Sequence, residues 1–333
     1  MRAGIVKGAI AALASVSLLA ACGGGDDGAG AGGGSDHTWR LGYNVDYNSA
    51  SLYAIAEDQG LWEEHGVDVK TLSFTNGPLQ IQALNQGDLD IAYIGPGAHW
   101  LPASGKAKII TINGLGTAER ILAQPGITSM KDLAGHTVGA PEGTSGELLL
   151  NLALEEAGMT KEDIDFVPMD PSTVVSSFSS GKVDAAAIWY PLVGTMKKNV
   201  PDAEELSSSE DFVDEVPAPS SFVTTQEIID SEQDGLSDVI AVLKEANDFR
   251  AKNQDEAIAL TSQFLDVDEE SLAQEAQFTK NFTSEELEQL TEEGTTYDWL
   301  DNLAEQLEEM GTIKGERIPA EEFYMGDLYT GAQ

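Results

Sequence analysis

Residues 137–157, TVGAPEGTSGELLLNLALEEA, contain a short apolar segment, a glycine-bounded turn and a leucine-rich segment in direct succession. Thr137 to Ala140 has the length and apolar character of a buried strand. Between Glu147 and Ala157 the leucines recur at helical spacing, which predicts a helix with one apolar face. A strand, a tight turn and a helix in this order are the repeating unit of an α/β sheet.

The same alternation extends in both directions from this unit. Before it, we predict strands at residues 38–43, 67–74, 89–94 and 108–113, and helices at 51–59, from 77 to about 87, and after 97. After it, we predict strands at 165–169 and 183–189, a helix from Pro171, and a return strand at 222–225. Beyond this strand the periodicity predicts only helices, at 236–252, 254–265, 268–277 and 283–310. The pattern therefore favours a mostly parallel α/β sheet followed by a helical C-terminal part.

The N-terminus has the pattern of an export signal. Arg2 and Lys7 precede an apolar run that is shorter than the roughly 20 residues a membrane span needs. The run ends at Leu19–Ala20–Ala21–Cys22, which resembles the bacterial lipobox, so we predict a signal peptide over 1–21 and lipidation of Cys22. The Gly-rich residues 22–37 predict a flexible tether. Since Cys22 is the only cysteine, no intrachain disulfide is expected.

The composition excludes one class of partner. With 57 acidic and 18 basic residues, the chain has a formal net charge of −39. Nucleic acid would be repelled by such a surface at long range. Many of the acids lie in the C-terminal helices, where we expect a hydrated outer surface. No nucleic-acid partner is therefore predicted.

The motifs of common enzymes, cofactor sites and metal sites are absent from the sequence. Gly143–Thr144–Ser145–Gly146 lacks the final glycine of a nucleophile elbow, because Glu147 stands in its place. No HExxH, CxxC, calcium loop or GxGxxG motif is present. The four histidines (His37, His65, His99, His136) are scattered along the chain. We therefore predict a protein without enzymatic activity, cofactor or metal.

Two loops suggest a binding site instead. Residues 94–97, IGPG, and 143–146, GTSG, each follow a predicted strand and precede a predicted helix. Ligands of open α/β sheets bind at the carboxyl ends of strands. Helix N-termini at this edge offer unpaired N–H groups to an anion. If the two loops belong to facing lobes, they predict an anion-binding cleft.

Several motifs together resemble a known family, the solute-binding proteins of ABC importers for taurine, aliphatic sulfonates and nitrate. The resemblance runs from about residue 39 to the C-terminus, and its markers are residues 56–69 (AEDQGLWEEHGVDV), 132–139 (DLAGHTVG), 142–145 (EGTS), 179–185 (SSGKVDA) and 187–191 (AIWYP). The resemblance implies a type II periplasmic-binding-protein fold of two α/β lobes joined by a two-strand hinge. Crossings are expected near residues 122–124 and 221–224, with lobe 1 formed by 38–123 and 224–333, and lobe 2 by 124–223.

The resemblance also implies the residues of the ligand pocket. Asn44 and Asp46 follow the first strand and, with Gly95 and Pro96, would belong to lobe 1. The second lobe would contribute Thr144, Ser145 and Gly146, with Trp189 as a wall. Residues 115–119, LGTAE, are similar to the LGNSE of the taurine branch. An acidic Glu119 in the cleft would suit an ammonium group.

These features predict a lipid-anchored, extracytoplasmic binding protein, expected to be monomeric, that delivers taurine or a related small aliphatic sulfonate to an ABC permease and ATPase. Within the binding class, nitrate, another small anion or a thiamine pyrimidine precursor remains an alternative. An enzyme similar to the pyrimidine synthases, and a surface sensor or adhesion lipoprotein, are alternatives of other classes.

Overall fold

The computed structural model describes residues 37–332. The predicted signal peptide, Cys22 and the tether up to residue 36 lie outside this range. The strands are, in chain order, β1 Thr38–Asn44, β2 Asp68–Phe74, β3 Ala92–Ile94, β4 Lys108–Gly116, β5 Glu119–Ala123, β6 Thr137–Ala140, β7 Asp165–Pro168, β8 Ala185–Trp189, β9 Glu204–Ser208, β10 Pro219–Thr224 and β11 Thr279–Lys280.

Helices surround these strands and make up most of the C-terminal part. They are α1 Tyr47–Asp58, α2 Leu61–Glu64, α3 Gly77–Asn85, α4 Trp100–Ala103, α5 Ser145–Glu156, α6 Pro171–Ser179, α7 Leu192–Asn199, α8 Gln226–Ser231, α9 Gln233–Lys252, α10 Gln254–Leu265, α11 Glu269–Ala276, α12 Ser284–Glu292, α13 Thr295–Glu309, α14 Ala320–Phe323 and α15 Gly326–Gly331. Within residues 37–332 none of these helices has both the length and the apolar character that crossing a bilayer requires.

The strands form two separate groups, one in each lobe. In lobe 1, a four-stranded sheet has the order β11-β4-β10-β3, and β1 pairs in parallel with β2 beside it. A bridge between Leu41 and Ile91 links β1 to the segment that precedes β3. In lobe 2, a five-stranded sheet has the order β7-β6-β8-β5-β9. The two-lobed α/β fold expected from the resemblance is therefore confirmed.

Each lobe has its own core. One large apolar cluster, which includes Trp39, Tyr53 and Phe222, joins the lobe 1 strands to the C-terminal helices. In lobe 2 the two faces of β5 supply two clusters, because Ile121 points to one side of the sheet and Leu122 to the other. Both faces of this sheet are therefore buried.

The prediction of a mostly parallel sheet is wrong, because the four-stranded sheet of lobe 1 is antiparallel and the sheet of lobe 2 is mixed. Strand β5 pairs antiparallel with β8 and β9, and β10 pairs antiparallel with β3 and β4. Parallel neighbours require a long crossover, usually a helix. Only Thr117 and Ala118 separate β4 from β5, so the strand that changes lobe enters the second sheet without a crossover helix.

The crossings also lie at other residues than those predicted. Strand β5 already belongs to the lobe 2 sheet, so the chain leaves lobe 1 at Thr117–Ala118 rather than near residues 122–124. It returns before β10, which belongs wholly to the lobe 1 sheet, rather than near residues 221–224. Sequence periodicity identifies strands, but which sheet a strand joins depends on its partners.

The single helix predicted at 283–310 is two helices. Gly294 has φ of 86° between α12 and α13, a left-handed conformation in which glycine has no steric penalty. The first of the two begins with a capping box between Thr283 and Glu286. Apolar residues of both helices face the lobe 1 core, which explains why the periodicity continues across the break.

Candidate ligand-binding site

A cavity lies between the two lobes, with about 580 Å³ of empty space including its open mouth. Its walls come from the ends of strands and the first turns of helices in both lobes. The lining residues are Asn44, Asp46, Asn48, Asn76, Gly77, Pro78, Tyr93, Gly95, Pro96, Ala98, Gly116, Ala118, Glu119, Thr144, Ser145, Trp189, Tyr190, Ser220 and Glu275. This is the interlobe position at which the sequence predicts a cleft.

Eight of the nine predicted pocket residues line this cavity; they are Asn44, Asp46, Gly95, Pro96, Glu119, Thr144, Ser145 and Trp189. Gly146 does not, because it packs against β8, where a Cβ atom would lie 2.6 Å from the carbonyl oxygen of Ala187. Cys22, the predicted lipidation site, lies outside the described residues. The structure thus brings these eight predicted residues together, although Asn44 and Trp189 are 145 positions apart in the sequence.

Three carboxylates are buried at the cavity. The exposed fractions are 5% for Asp46, 6% for Glu119 and 2% for Glu275. Asp46 caps α1, since its Oδ1 accepts the backbone N–H of Ser49 at 2.8 Å. Glu275 accepts the backbone N–H groups of Tyr47 at 2.7 Å and Asn48 at 3.1 Å. The N-terminus of α1 is therefore occupied by protein carboxylates and has little left to offer an anion.

Burial makes Asp46 and Glu275 harder to ionise than free carboxylates. Desolvation, with a smaller contribution from the charge of Glu119, raises the pKa of Asp46 to about 6. Desolvation and the charge of Asp46 raise the pKa of Glu275 well above its usual value. Glu119 accepts a hydrogen bond at Oε2 from the Ser209 hydroxyl at 2.7 Å. The site therefore holds three buried acids, each of which accepts at least one hydrogen bond from the protein.

Within residues 37–332, no lysine or arginine lines the cavity. Two buried arginines lie behind its walls: Arg120, over the Tyr190 ring, and Arg250 on α9, which is fully buried. Arg250 is the more deeply buried of the two. Its guanidinium donates to the Ser51 hydroxyl at 3.0 Å, to the Asn113 carbonyl at 2.6 Å and to the Asn247 side chain at 2.7 Å. These neighbours separate it from the cavity surface, so the carboxylate side of the cavity is suited to a positively charged group.

The opposite side of the cavity offers hydrogen-bond donors. Helix α5 begins at Ser145, and no side chain among the described residues caps its N-terminus. The Thr144 hydroxyl points away and donates to the Pro141 carbonyl at 2.7 Å. Glu147 accepts the Gly143 N–H at 2.5 Å and pairs with Lys161, which holds the turn in place. The first-turn N–H groups of α5 and the Ser145 hydroxyl can therefore bind an anionic group.

The two loops identified in the sequence touch each other. Gly97 lies in the short 3₁₀ turn Pro96–Ala98 of lobe 1, and a methyl group on it would overlap the backbone of Thr144 in lobe 2. The lobes also meet at the other side of the cleft, where Gly194 of α7 faces the side chain of Gln274. The two lobes are therefore in contact at two places beside the cavity.

Buried polar side chains hold the lobe 1 wall in place. Gln80 donates to Asn44 Oδ1 at 2.9 Å and accepts the Tyr93 N–H at 2.8 Å. His99 faces the carbonyls of Gly95 and Pro96 through Nδ1, both at 3.2 Å, and the Ser221 hydroxyl through Nε2 at 3.0 Å. Desolvation lowers the pKa of His99 to about 4, so this imidazole is neutral and supports the Gly95 loop.

Sequence reasoning misses several lining residues. Asn76 could have been identified from the sequence, because an asparagine before Gly77–Pro78 is typical of a helix N-cap. In the structure it caps α3. Tyr93, Trp189 and Tyr190 place three aromatic rings around the cavity, of which the sequence predicts only Trp189. Glu275 has no local signal, because its partner Tyr47 is 228 positions away.

Two α/β lobes, joined by short crossings and closed around a small polar cavity, define a solute-binding protein of the periplasmic type. The chain belongs to the NMT1/THI5-like family, whose model matches residues 47–257. It is 48% identical over 291 residues to a Brucella abortus protein named only as a binding protein, covering 87% of this chain and 91% of the relative.

Other relatives have more specific names. The taurine-binding periplasmic protein of Escherichia coli is 26% identical over 156 residues, which cover 46% of this chain and 48% of that protein. The fold resembles the alkanesulfonate-binding protein of Xanthomonas axonopodis pv. citri, solved bound to MOPS, with a TM-score of 0.69, 18% identity and coverage of 85% of this chain and 96% of that one. These relatives are binding proteins, and the resemblance to the sulfonate, taurine and nitrate group of ABC importers is confirmed.

Proposed function

We propose that this protein captures taurine or a related small aminosulfonate and delivers it to an ABC permease and ATPase. The observation that carries the proposal is the polarity of the cavity. Asp46, Glu119 and Glu275 surround one side, and the N-terminus of α5, with its free amides, lies in the other lobe. A zwitterion with an ammonium group on the carboxylates and a sulfonate on the α5 amides matches both sides.

A bare anion is a poor match for this cavity. Nitrate or ethanesulfonate could bind the α5 amides but would bring no positive charge to the side of the cavity that Asp46, Glu119 and Glu275 line. An uncompensated charge in a buried site is costly. The MOPS molecule named for the Xanthomonas structure is also an aminosulfonate, which supports the same ligand class.

A thiamine pyrimidine precursor is the second candidate. Tyr93, Trp189 and Tyr190 could stack on a heterocycle, while the carboxylates accept its amino group. The three aromatic rings are compatible with both taurine and a heterocycle. An aminopyrimidine is therefore included in the same titration.

A matched ligand series tests the charge argument. We expect calorimetric titration of the ligand-free protein to rank taurine above ethylamine, and ethylamine above ethanesulfonate. The three compounds share a two-carbon skeleton and differ in carrying both charges, only the cation or only the anion. Nitrate and a 4-aminopyrimidine complete the set. Equal affinities for taurine and ethanesulfonate would contradict the role of the carboxylates, and binding of nitrate alone would overturn the proposal.

We also propose that the protein is a monomer anchored by a lipid on Cys22 at the outer face of the cytoplasmic membrane. Replacing Cys22 by alanine removes the acylation site, so we expect the protein to move from the membrane fraction to the soluble fraction or the medium. A Gly23→Ala variant, which keeps the thiol, is the matched control and is expected to stay with the membrane. Cys22→Ala protein that remained in the membrane fraction would contradict the anchor.

A further inference from the structure

A second, smaller cavity borders the ligand cavity. We call it the side cavity; it has about 300 Å³ of empty space including its opening. Pro96, Glu119 and Ser145 line both cavities, so the two are contiguous at these residues. The Ser209 hydroxyl, which also lines the side cavity, donates to the Glu119 carboxylate at 2.7 Å. The polar groups of the side cavity are thus concentrated where it meets the main one.

The remaining walls are apolar. Leu148, Leu149 and Leu152 come from α5, and Phe212, Val216 and Ala218 come from the segment that returns to lobe 1. Contact between these walls and an aliphatic group removes apolar surface from water and so favours binding. A polar group would find few hydrogen-bond partners there. Leu148 and Val216 belong to the lobe 1 core cluster, so a group in the side cavity would contact the place where the lobes meet.

We propose that the side cavity binds an aliphatic branch attached at or next to the amine of the ligand. This inference rests on the proposed function, because it places the ligand's amine at the carboxylates. Glu119 stands at the junction of the two cavities, so an amine held by Glu119 directs its substituent toward α5 Leu148 and Leu152. The natural ligand class is then an N-alkylated aminosulfonate rather than unsubstituted taurine.

The test compares taurine, N-methyltaurine and N-butyltaurine by calorimetric titration. Burying one methylene is worth about 0.8 kcal/mol, which corresponds to about fourfold in affinity. We therefore expect N-butyltaurine to bind at least about tenfold more tightly than taurine. Ala218→Leu fills the side cavity and is expected to abolish this gain while leaving the affinity for taurine within about twofold of the wild type.

Val213→Leu is the matched control, because Val213 lies on the same segment but is 47% exposed and does not line the side cavity. If Ala218→Leu does not fold, as judged by thermal unfolding, Leu152→Asn makes the α5 wall of the side cavity polar and is expected to reduce the gain in affinity for N-butyltaurine. Equal or weaker binding of N-butyltaurine than of taurine would overturn the side-cavity inference alone. Failure of all three compounds to bind would overturn the proposed function as well.

Discussion

Gly97→Ala is expected to weaken taurine binding by about five- to 150-fold, the equivalent of the roughly 1–3 kcal/mol that overpacking costs. The added methyl group would overlap the backbone of Thr144, which cannot move away as a flexible side chain can. The two loops could then reach their present contact only by shifting the lobes apart. Calorimetric titration measures the loss, and thermal unfolding of the ligand-free protein should change little because separated lobes relieve the overlap.

Gly194→Ala provides the matched control at the other lobe contact. Its methyl group would meet the side-chain amide of Gln274, which has rotatable bonds and can turn away. We therefore expect affinity within about threefold of the wild type. Wild-type affinity of Gly97→Ala, or an equal loss in both variants, would show that closure of the loop contact does not determine binding.

Asp46→Asn is expected to weaken taurine binding and to stabilise the ligand-free protein at pH 7. A hydrogen bond to a charged group contributes about 1.5–3 kcal/mol, so its loss corresponds to about ten- to a hundredfold in affinity. Burial raises the pKa of Asp46 to about 6, which means that ionising it at pH 7 costs folding free energy on the order of 1–3 kcal/mol. Asparagine keeps the cap on α1, because its carbonyl can also accept the Ser49 N–H.

Asp202→Asn at an exposed position is the control. It should change neither the affinity for taurine nor the stability of the ligand-free protein. Glu275→Gln should weaken binding too, but its amide has one acceptor for the two N–H groups that Glu275 accepts, so a smaller gain in stability is expected. Wild-type affinity together with increased stability in Asp46→Asn would mean that the carboxylate does not contact the ligand.

The pH dependence of stability and of ligand affinity shows whether the charge of Asp46 is responsible for the effects of Asp46→Asn. In the ligand-free wild type, the raised pKa means that the folded state binds more protons than the unfolded state between about pH 4 and 6. The contribution of Asp46 to stability therefore falls as pH rises through this window. Affinity for an ammonium ligand has the opposite trend and should fall as pH drops below about 6. Asp46→Asn should lose the part of both dependences that comes from Asp46, while Glu275 remains titratable.

The two loops are predictable because their signals are local. A strand, a glycine-bounded turn and a helix are recognisable in consecutive residues, and the structure places Gly95, Pro96, Thr144 and Ser145 of these two loops in the wall of the interlobe cavity. Gly146 is not among the residues that line the cavity, because the position of its missing Cβ faces the neighbouring strand β8, a contact that its own sequence does not indicate. Glu119 is identified only through a family resemblance, since one acid among 57 has no local distinction.

The sequence by itself determined much of the succession of strands and helices, but not β5, α7 or β9. It also determined the two candidate loops, the family and the expectation of an exported protein. These features depend on periodicity and on short motifs, which are encoded within a few neighbouring residues. Only the tertiary structure decided which strands pair antiparallel, that the chain changes lobe at Thr117–Ala118, and that Glu275 reaches the N-terminus of α1. The physical reason is that strand partners, and the burial that raises the pKa values of Asp46 and Glu275, arise from contacts between residues far apart in the chain.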